Sequence, residues 1–193
     1  MKDKDIQPRS LDLTHWARQQ ARLWMLEGDR ACLGRQFIKG LRYYQQALEV
    51  AEKHRLLDLQ ARLCRDLAYV YVHHGAADKA LQVLDAAPAF HEVEPEIQIG
   101  LLVNRASALL ALRDFRGSLA TARKALGLIG EHYPRIEGTS SLAMVATSSA
   151  LLRMAGKLER VMDLLEGGVN SERIQISVEL TRPYWLPHEG FQW

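Results

Sequence analysis

An all-α chain of stacked, antiparallel helix pairs is what this sequence predicts, and three observations carry the prediction. Apolar residues recur at helical steps along most of the chain. Short breaks containing glycine, proline or Asp-Phe cut that pattern into segments of helix length. The clearest unit, Ala61 to Leu84, reads as two amphipathic helices around Gly75, and the stretches before and after it repeat the outline. A helix pair of this size cannot bury its apolar faces alone, so successive pairs must stack.

The elements follow in order. Residues 1–10 carry mixed charge and Pro8 and read as a polar lead-in to a helical domain over 11–169. Leu13, Trp16, Ala17, Ala21, Trp24, Met25, Gly28, Ala31 and Cys32 keep helical spacing, and Gly34 ends that run before a second helix from about Gln36 to His54. In the second helix Phe37, Gly40, Tyr44 and Ala47 alternate aromatic and small residues, and Gly40 should cost roughly 1 kcal/mol of helix propensity. The next pair runs from about Leu56, through Leu63, Leu67, Ala68, Val70 and Tyr71, past Gly75 to Ala80, Val83, Leu84 and Ala87, and Pro88 stops it. Pro95 suits the first turn of a third pair, with Ile97, Leu101, Leu102, Ala106, Leu109 and Leu110 on its first helix. Asp114 and Phe115 mark the turn, and Leu119, Ala122, Ala125 and Leu126 continue until Gly127, Gly130 and Pro134. A fourth pair is expected from Leu142 to Met154 and Leu158 to Leu165, with its turn at Gly156 and its stop at Gly167 and Gly168.

The last segment, 170–193, changes character. Ile174, Ile176, Val178 and Leu180 alternate with polar residues, a period of two that signals an extended strand. Pro183 and Pro187 then exclude a helix, while Tyr184, Trp185, Phe191 and Trp193 make an aromatic-rich, adhesive tail. Three outcomes stay open for it: packing over the last helix pair near Leu152 and Leu165, exchange between two copies to make a homodimer, or capture by another partner.

Composition removes several function classes. Lys and Arg number 25 against 23 Asp and Glu, so a net charge of +2 supplies no general pull toward nucleic acid or an anionic membrane. The distribution is uneven, with 13 basic and 8 acidic residues in 1–65 against 2 and 6 in 66–112. The start reads as too polar for a signal peptide, and the longest uncharged stretch, Gly138 to Leu152, has only 15 residues and six hydroxyls, so no export signal or membrane span is expected. Two cysteines, Cys32 and Cys64, lie in helical patterns and read as small core residues, which fits a reducing cytoplasm.

No glycine-rich phosphate loop, nucleophile elbow or paired-carboxylate motif is present, and Gly127, Gly130, Gly167 and Gly168 follow helices where a phosphate cradle would precede one. His73 and His74 are adjacent, so their side chains diverge by about 100° on a helix, and neither has a His or Glu four residues away to complete a metal pair. A non-catalytic protein without metal or cofactor is the expectation.

From Leu67 and Ala68 through Tyr71, Gly75, Ala80 and Leu84 to Ala87, the residues fall on the Leu-Gly, Tyr, Gly, Ala, aromatic and Ala places of the tetratricopeptide repeat, which this segment resembles. Equivalent positions at Ala47, Ala87, Ala125 and Gly168 stand 40, 38 and 43 residues apart, longer than the usual period of about 34, so the likeness is to extended versions of the repeat and covers roughly residues 21–168. It implies a right-handed superhelical array, an α-solenoid of about four helix pairs, whose concave groove is lined by the first helix of each pair. Carried onto this chain, the groove positions are Arg22, Met25 and Asp29, then Arg62, Arg65, Asp66, Tyr69 and His73, then Val103, Asn104 and Ser107, then Thr147 and Ala150. Arg62, Arg65 and Tyr69 share a helix face and are the expected grip for a carboxylate or peptide backbone. The Lys and Asn that clamp a C-terminal carboxylate in chaperone-binding members are replaced by Met25, Asp29 and Asp66, which argues against a co-chaperone. Asn104 matches an asparagine that bonds ligand backbone in peptide-sensing members.

The resulting expectation is an interaction scaffold or adaptor that takes a protein or peptide partner in its groove or on its tail. Two alternatives stand beside it: a regulatory module that senses a peptide or small ligand, and an RNA-binding array using Arg18, Arg22, Arg35, Arg42, Arg62 and Arg65, although net charge disfavours nucleic acid.

Overall fold

In the computed structural model, which describes residues 10–133 and 139–168, every described element is helical. The helices are α1 (Ser10–Leu33), α2 (Phe37–Lys53), α3 (Leu57–His73), α4 (Ala77–Asp85), α5 (Pro95–Ala111), α6 (Phe115–His132) and α7 (Thr139–Glu166), with a single 3-10 turn at Phe90–Glu92. None is long and apolar enough to cross a membrane. The strand and aromatic contacts expected of Ile174, Ile176, Val178, Leu180, Tyr184, Trp185, Phe191 and Trp193 lie outside the described residues.

Four of the connections are the same three-residue turn. Each helix ends with one residue in the left-handed region: Arg35 (φ 57°), Arg55 (φ 52°), Gly75 (φ 72°) and Arg113 (φ 65°). Around each, two backbone bonds close the helix. At the second turn, Leu56 N–H donates to the Ala51 carbonyl at 2.8 Å and Arg55 N–H to that of Glu52 at 3.1 Å, and the same pair of bonds recurs at Gln36 and Arg35, Ala76 and Gly75, and Asp114 and Arg113. So short a turn forces the next helix to run back alongside its predecessor. Gly34, Gly75 and Asp114 announce three of these turns in the sequence, but only Gly75 is itself the left-handed residue. At the other three an arginine takes a conformation that favours glycine, held there by the two bonds. At the third pair Asp114 also caps α6, its Oδ1 accepting from Gly117 N–H at 2.9 Å.

The turns set antiparallel neighbours, and burial decides which faces meet. Helix α3 packs on α2 and α4 and also reaches α1 and α5, while α5 packs on α4 and α6. Leu59, Leu63, Leu67 and Val70 of α3 join Ala17, Ala21, Tyr44, Ala47 and Ala51 in one core, whereas Ala61, Cys64 and Ala68 on its other side join Ala77, Ala80, Leu84, Ile97 and Leu101 in a second. A third core lies between α5, α6 and α7, around Leu102, Phe115, Leu119, Leu151 and Leu158.

Close approach explains an inversion in α1. Ala17, Ala21, Gly28 and Ala31 are buried, while Leu13 and Trp16 are more than half exposed. The Tyr44 ring, 1% exposed, lies so near Gly28 that an added Cβ would sit 2.5 Å from it, and Gly40 likewise faces the Cys32 sulfur. Size, not hydrophobicity, selects the inner face of this pair. The propensity lost at Gly40 therefore buys the contact between α1 and α2.

The fourth pair is corrected: α7 is one unbroken helix through Gly156. Leu151, Met154, Ala155, Leu158 and Val161 form one buried stripe along it, and a Cβ at Gly156 would meet nothing within 4 Å. The glycine costs about 1 kcal/mol in a helix, less than the burial of a single Leu along that stripe. Helix α6 passes through Gly127 and Gly130 for the same reason, as both point into open space.

Three stability outcomes follow. Leu67→Ala, at a position 1% exposed, should cost about 2–5 kcal/mol in denaturant melts. Gly28→Ala should cost about 1–3 kcal/mol, because the buried Tyr44 ring has nowhere to go. Arg55→Gly should instead raise stability by about 0.5–1 kcal/mol, the relief of left-handed strain exceeding the added freedom of the unfolded chain. Loss of stability in that variant would show that the Arg55 side chain holds the turn.

Candidate functional site

The expected groove residues of α1, α3 and α5 form a polar seam linked by side chains. On α3, Asp58, Arg62, Arg65, Asp66, Tyr69 and His73 recur at helical spacing along the face left over by its two apolar faces. Arg18, Arg22, Met25 and Asp29 do the same on α1. Arg18 Nη1 bonds Asp58 Oδ2 at 2.5 Å, and Asn104 Nδ2 of α5 donates to the Arg65 carbonyl at 2.6 Å, so the three helices are tied across the seam.

Its centre is buried. Arg65 Nε donates to Asp66 Oδ1 at 2.8 Å, with both side chains under a tenth exposed. Asn104 and Ser107 are also buried, Ser107 Oγ donating to the Val103 carbonyl at 2.9 Å within its own helix. Tyr44 reaches over from α2 and its hydroxyl donates to Asp29 Oδ1 at 2.6 Å. The same tyrosine therefore packs its ring on Gly28 and holds the carboxylate of the next residue.

Burial pushes the Asp29 carboxyl up to about 6, and the negative charge of Asp66 adds to it, against the lowering effects of the Tyr44 hydrogen bond and of Arg65. Burial likewise raises the Cys32 thiol to about 11 and the Cys64 thiol to about 12, so neither is a thiolate near neutral pH. Burial raises Asp58 too, but the Arg18 hydrogen bond and charge outweigh it and hold this carboxyl below the usual range.

Above the buried centre stand the accessible residues. Arg62 is half-buried and pairs with Glu94 at 3.0 Å. Tyr69 and His73 pack ring to ring with centroids 4.2 Å apart, and loss of hydration there, with the charge of His74 beside it, lowers the His73 imidazole below its usual range. Met25 is half-buried and Arg22 exposed. The expected three-residue grip is thus divided. Arg62 and Tyr69 lie at the surface, whereas Arg65 is buried against Asp66. On α7, Thr147 is buried and Ala150 half-buried. Tyr44 belongs to the seam without having been expected there, because its helix is the second of a pair; a tyrosine at a core position, with a hydroxyl that must find a partner, was the available signal.

Among the described residues no three His, Cys, Asp or Glu side chains converge as a metal would need. The chain matches no family model, no curated protein and no solved structure.

The raised Asp29 carboxyl has a signed consequence. Its folded value of about 6 exceeds the ordinary 3.8, so its contribution is full below about pH 4 and is lost as pH rises through about 6. Asp29→Asn, which keeps an acceptor for Tyr44, should therefore gain on the wild type by about 2–3 kcal/mol between pH 4 and 7 in urea melts. An unchanging difference across that range would mean that the carboxyl titrates normally.

Proposed function

We propose that the chain is a non-catalytic interaction scaffold built as a tetratricopeptide-like array, and that it takes an extended peptide segment of a protein partner along the seam of α1, α3 and α5. The observation that carries this reading is the contact of α3 with both α1 and α5, which sets the first helices of three successive pairs side by side and aligns their polar faces. A continuous wall of first helices is what a groove for an extended chain requires. The buried Arg65–Asp66 pair and Asn104 hold that wall. Arg22, Met25, Tyr69 and His73 present a cation, a flexible thioether and an aromatic pair above it, with Arg62 held beside them by Glu94, a mixture suited to side chains and backbone carbonyls of a peptide.

The alternatives gain less support. Of the six arginines available to an RNA-binding array, Arg18 and Arg62 are paired with carboxylates and Arg65 is buried, so half of the required phosphate contacts are already engaged. Burial holds both thiols protonated near neutral pH, which favours binding over nucleophilic chemistry at either cysteine.

Selection from a library of displayed 12-residue peptides tests the reading. Peptides that bind the wild type should lose roughly tenfold or more in affinity to a Arg62→Ala/Tyr69→Ala variant of unchanged melting point. A selection whose every binder ignores that variant would rule out the seam.

A further inference from the structure

A second surface borders α2 on the side opposite its buried face. Gly40, Tyr44, Ala47 and Ala51 mark the buried face of this helix. Its other side, with the preceding turn and His74, borders a mostly apolar groove lined by Phe37, Ile38 and Leu41 together with Arg35, Lys39 and Arg42. Two features of that lining are unexplained by folding.

The first is Ile38. It is 73% exposed, the most exposed large apolar side chain among those described. The three second helices begin in register at Phe37, Ala77 and Phe115, and the residue after each is Ile38, Asp78 and Arg116. Two pairs place a charge at this position and the first places an isoleucine in water, where it contributes nothing to the core.

The second is charge. Arg35, Lys39 and Arg42 are all exposed, and among the described residues none of them pairs with a carboxylate and no carboxylate lines the groove. Arg18, Arg30, Arg62, Arg105 and Arg123 each have an acidic partner. Arg22, Arg55, Arg116, Arg153 and Arg160 are exposed without one among the described residues, so what marks the groove is three such cations grouped with no carboxylate in its lining. Arg35 moreover occupies a left-handed backbone position where glycine would fit without strain, and its side chain stands at the groove.

We infer that this groove is a docking site for an acidic peptide carrying an aliphatic or aromatic anchor, with the anchor on Ile38 and Leu41 and the carboxylates on Arg35, Lys39 and Arg42. Along α2 the lining runs from Phe37 to Gln46, roughly 14 Å of helix, enough for about four residues of extended chain. A nucleic acid is the poorer fit. Its bases would need open aromatic faces, but the Phe37 ring is packed against His74 at 4.2 Å and Lys39 covers the Tyr43 ring at 5.9 Å. A membrane is poorer still, since beyond Arg42 the exposed side of α2 turns to Gln45, Gln46, Glu49 and Glu52 rather than to apolar residues.

The test is fluorescence anisotropy with fluorescein-labelled eight-residue peptides, each Asp- and Glu-rich around a central Leu, Ile or Phe pair, against the same peptides with the pair replaced by Ser and against an oligouridine. The full chain should bind the anchored peptides, and Ile38→Ser and, separately, Arg35→Gln/Arg42→Gln should each weaken binding about tenfold. The arginine variant should also flatten the salt dependence. Both variants alter exposed residues, and unchanged melting points keep the comparison valid. Arg62→Ala/Tyr69→Ala should leave this binding intact. If that variant abolishes it instead, the peptides lie on the seam, and the present inference fails while the seam reading survives. No anisotropy change up to about 1 mM protein across the whole panel, equal binding of the Ser-substituted peptides, or oligouridine binding weakened by the same variants would each overturn the site.

Discussion

The structure depends on α3 being buried on two sides. A helix packed by neighbours on one flank alone can keep most of its surface polar, but α3 meets α1 and α2 through Leu59, Leu63, Leu67 and Val70, and α4 and α5 through Ala61, Cys64 and Ala68. Large residues fill the first contact and small ones permit the close second contact. The face that remains is narrow, and it carries Arg62, Arg65, Asp66, Tyr69 and His73. Because the helices on either side approach so closely, the middle of that face is covered as well, and Arg65 and Asp66 are buried as a pair. Removing either partner alone would leave an unpaired buried charge and strongly destabilise the fold.

The same crowding reaches α1 through Tyr44. Its ring needs Gly28, its hydroxyl needs Asp29, and the Asp29 carboxylate in turn feels Asp66 on α3. Packing and electrostatics are therefore coupled across three helices by one side chain. The cost is visible in Asp29, whose charged form is disfavoured inside the protein. Burial and the neighbouring Asp66 both raise that carboxyl, and the Tyr44 hydrogen bond and Arg65 offset them only in part.

The arginines in the turns show a similar tension. Left-handed backbone at Arg35, Arg55 and Arg113 is imposed by the two closing hydrogen bonds of each turn and by the need to reverse direction within three residues. Glycine would serve the backbone better at each. At Arg113 the guanidinium lies over the Phe115 ring at 5.5 Å, which recovers part of the strain through a cation–π contact.

Much of the helical plan was legible in the residues. The breaks at Gly34, Gly75, Pro88 and Asp114, the start at Pro95 and the buried positions of Tyr44, Ala47, Leu67 and Ala80 follow from periodicity and from the backbone chemistry of glycine and proline. Those signals are local, and local physics decides them. Three matters belonged to the tertiary structure. Whether Gly156 breaks a helix depended on whether a buried stripe runs past it, and one does. Which side of α1 faces inward depended on how near α2 comes, and that distance favours Ala17, Ala21 and Gly28 over Leu13 and Trp16. Whether Arg62, Arg65 and Tyr69 act together depended on depth, which helical spacing does not encode: all three share a face, but α5 and Asp66 bury the middle one. Periodicity assigns a residue to a side of a helix, and only the neighbouring helices decide whether that side meets water.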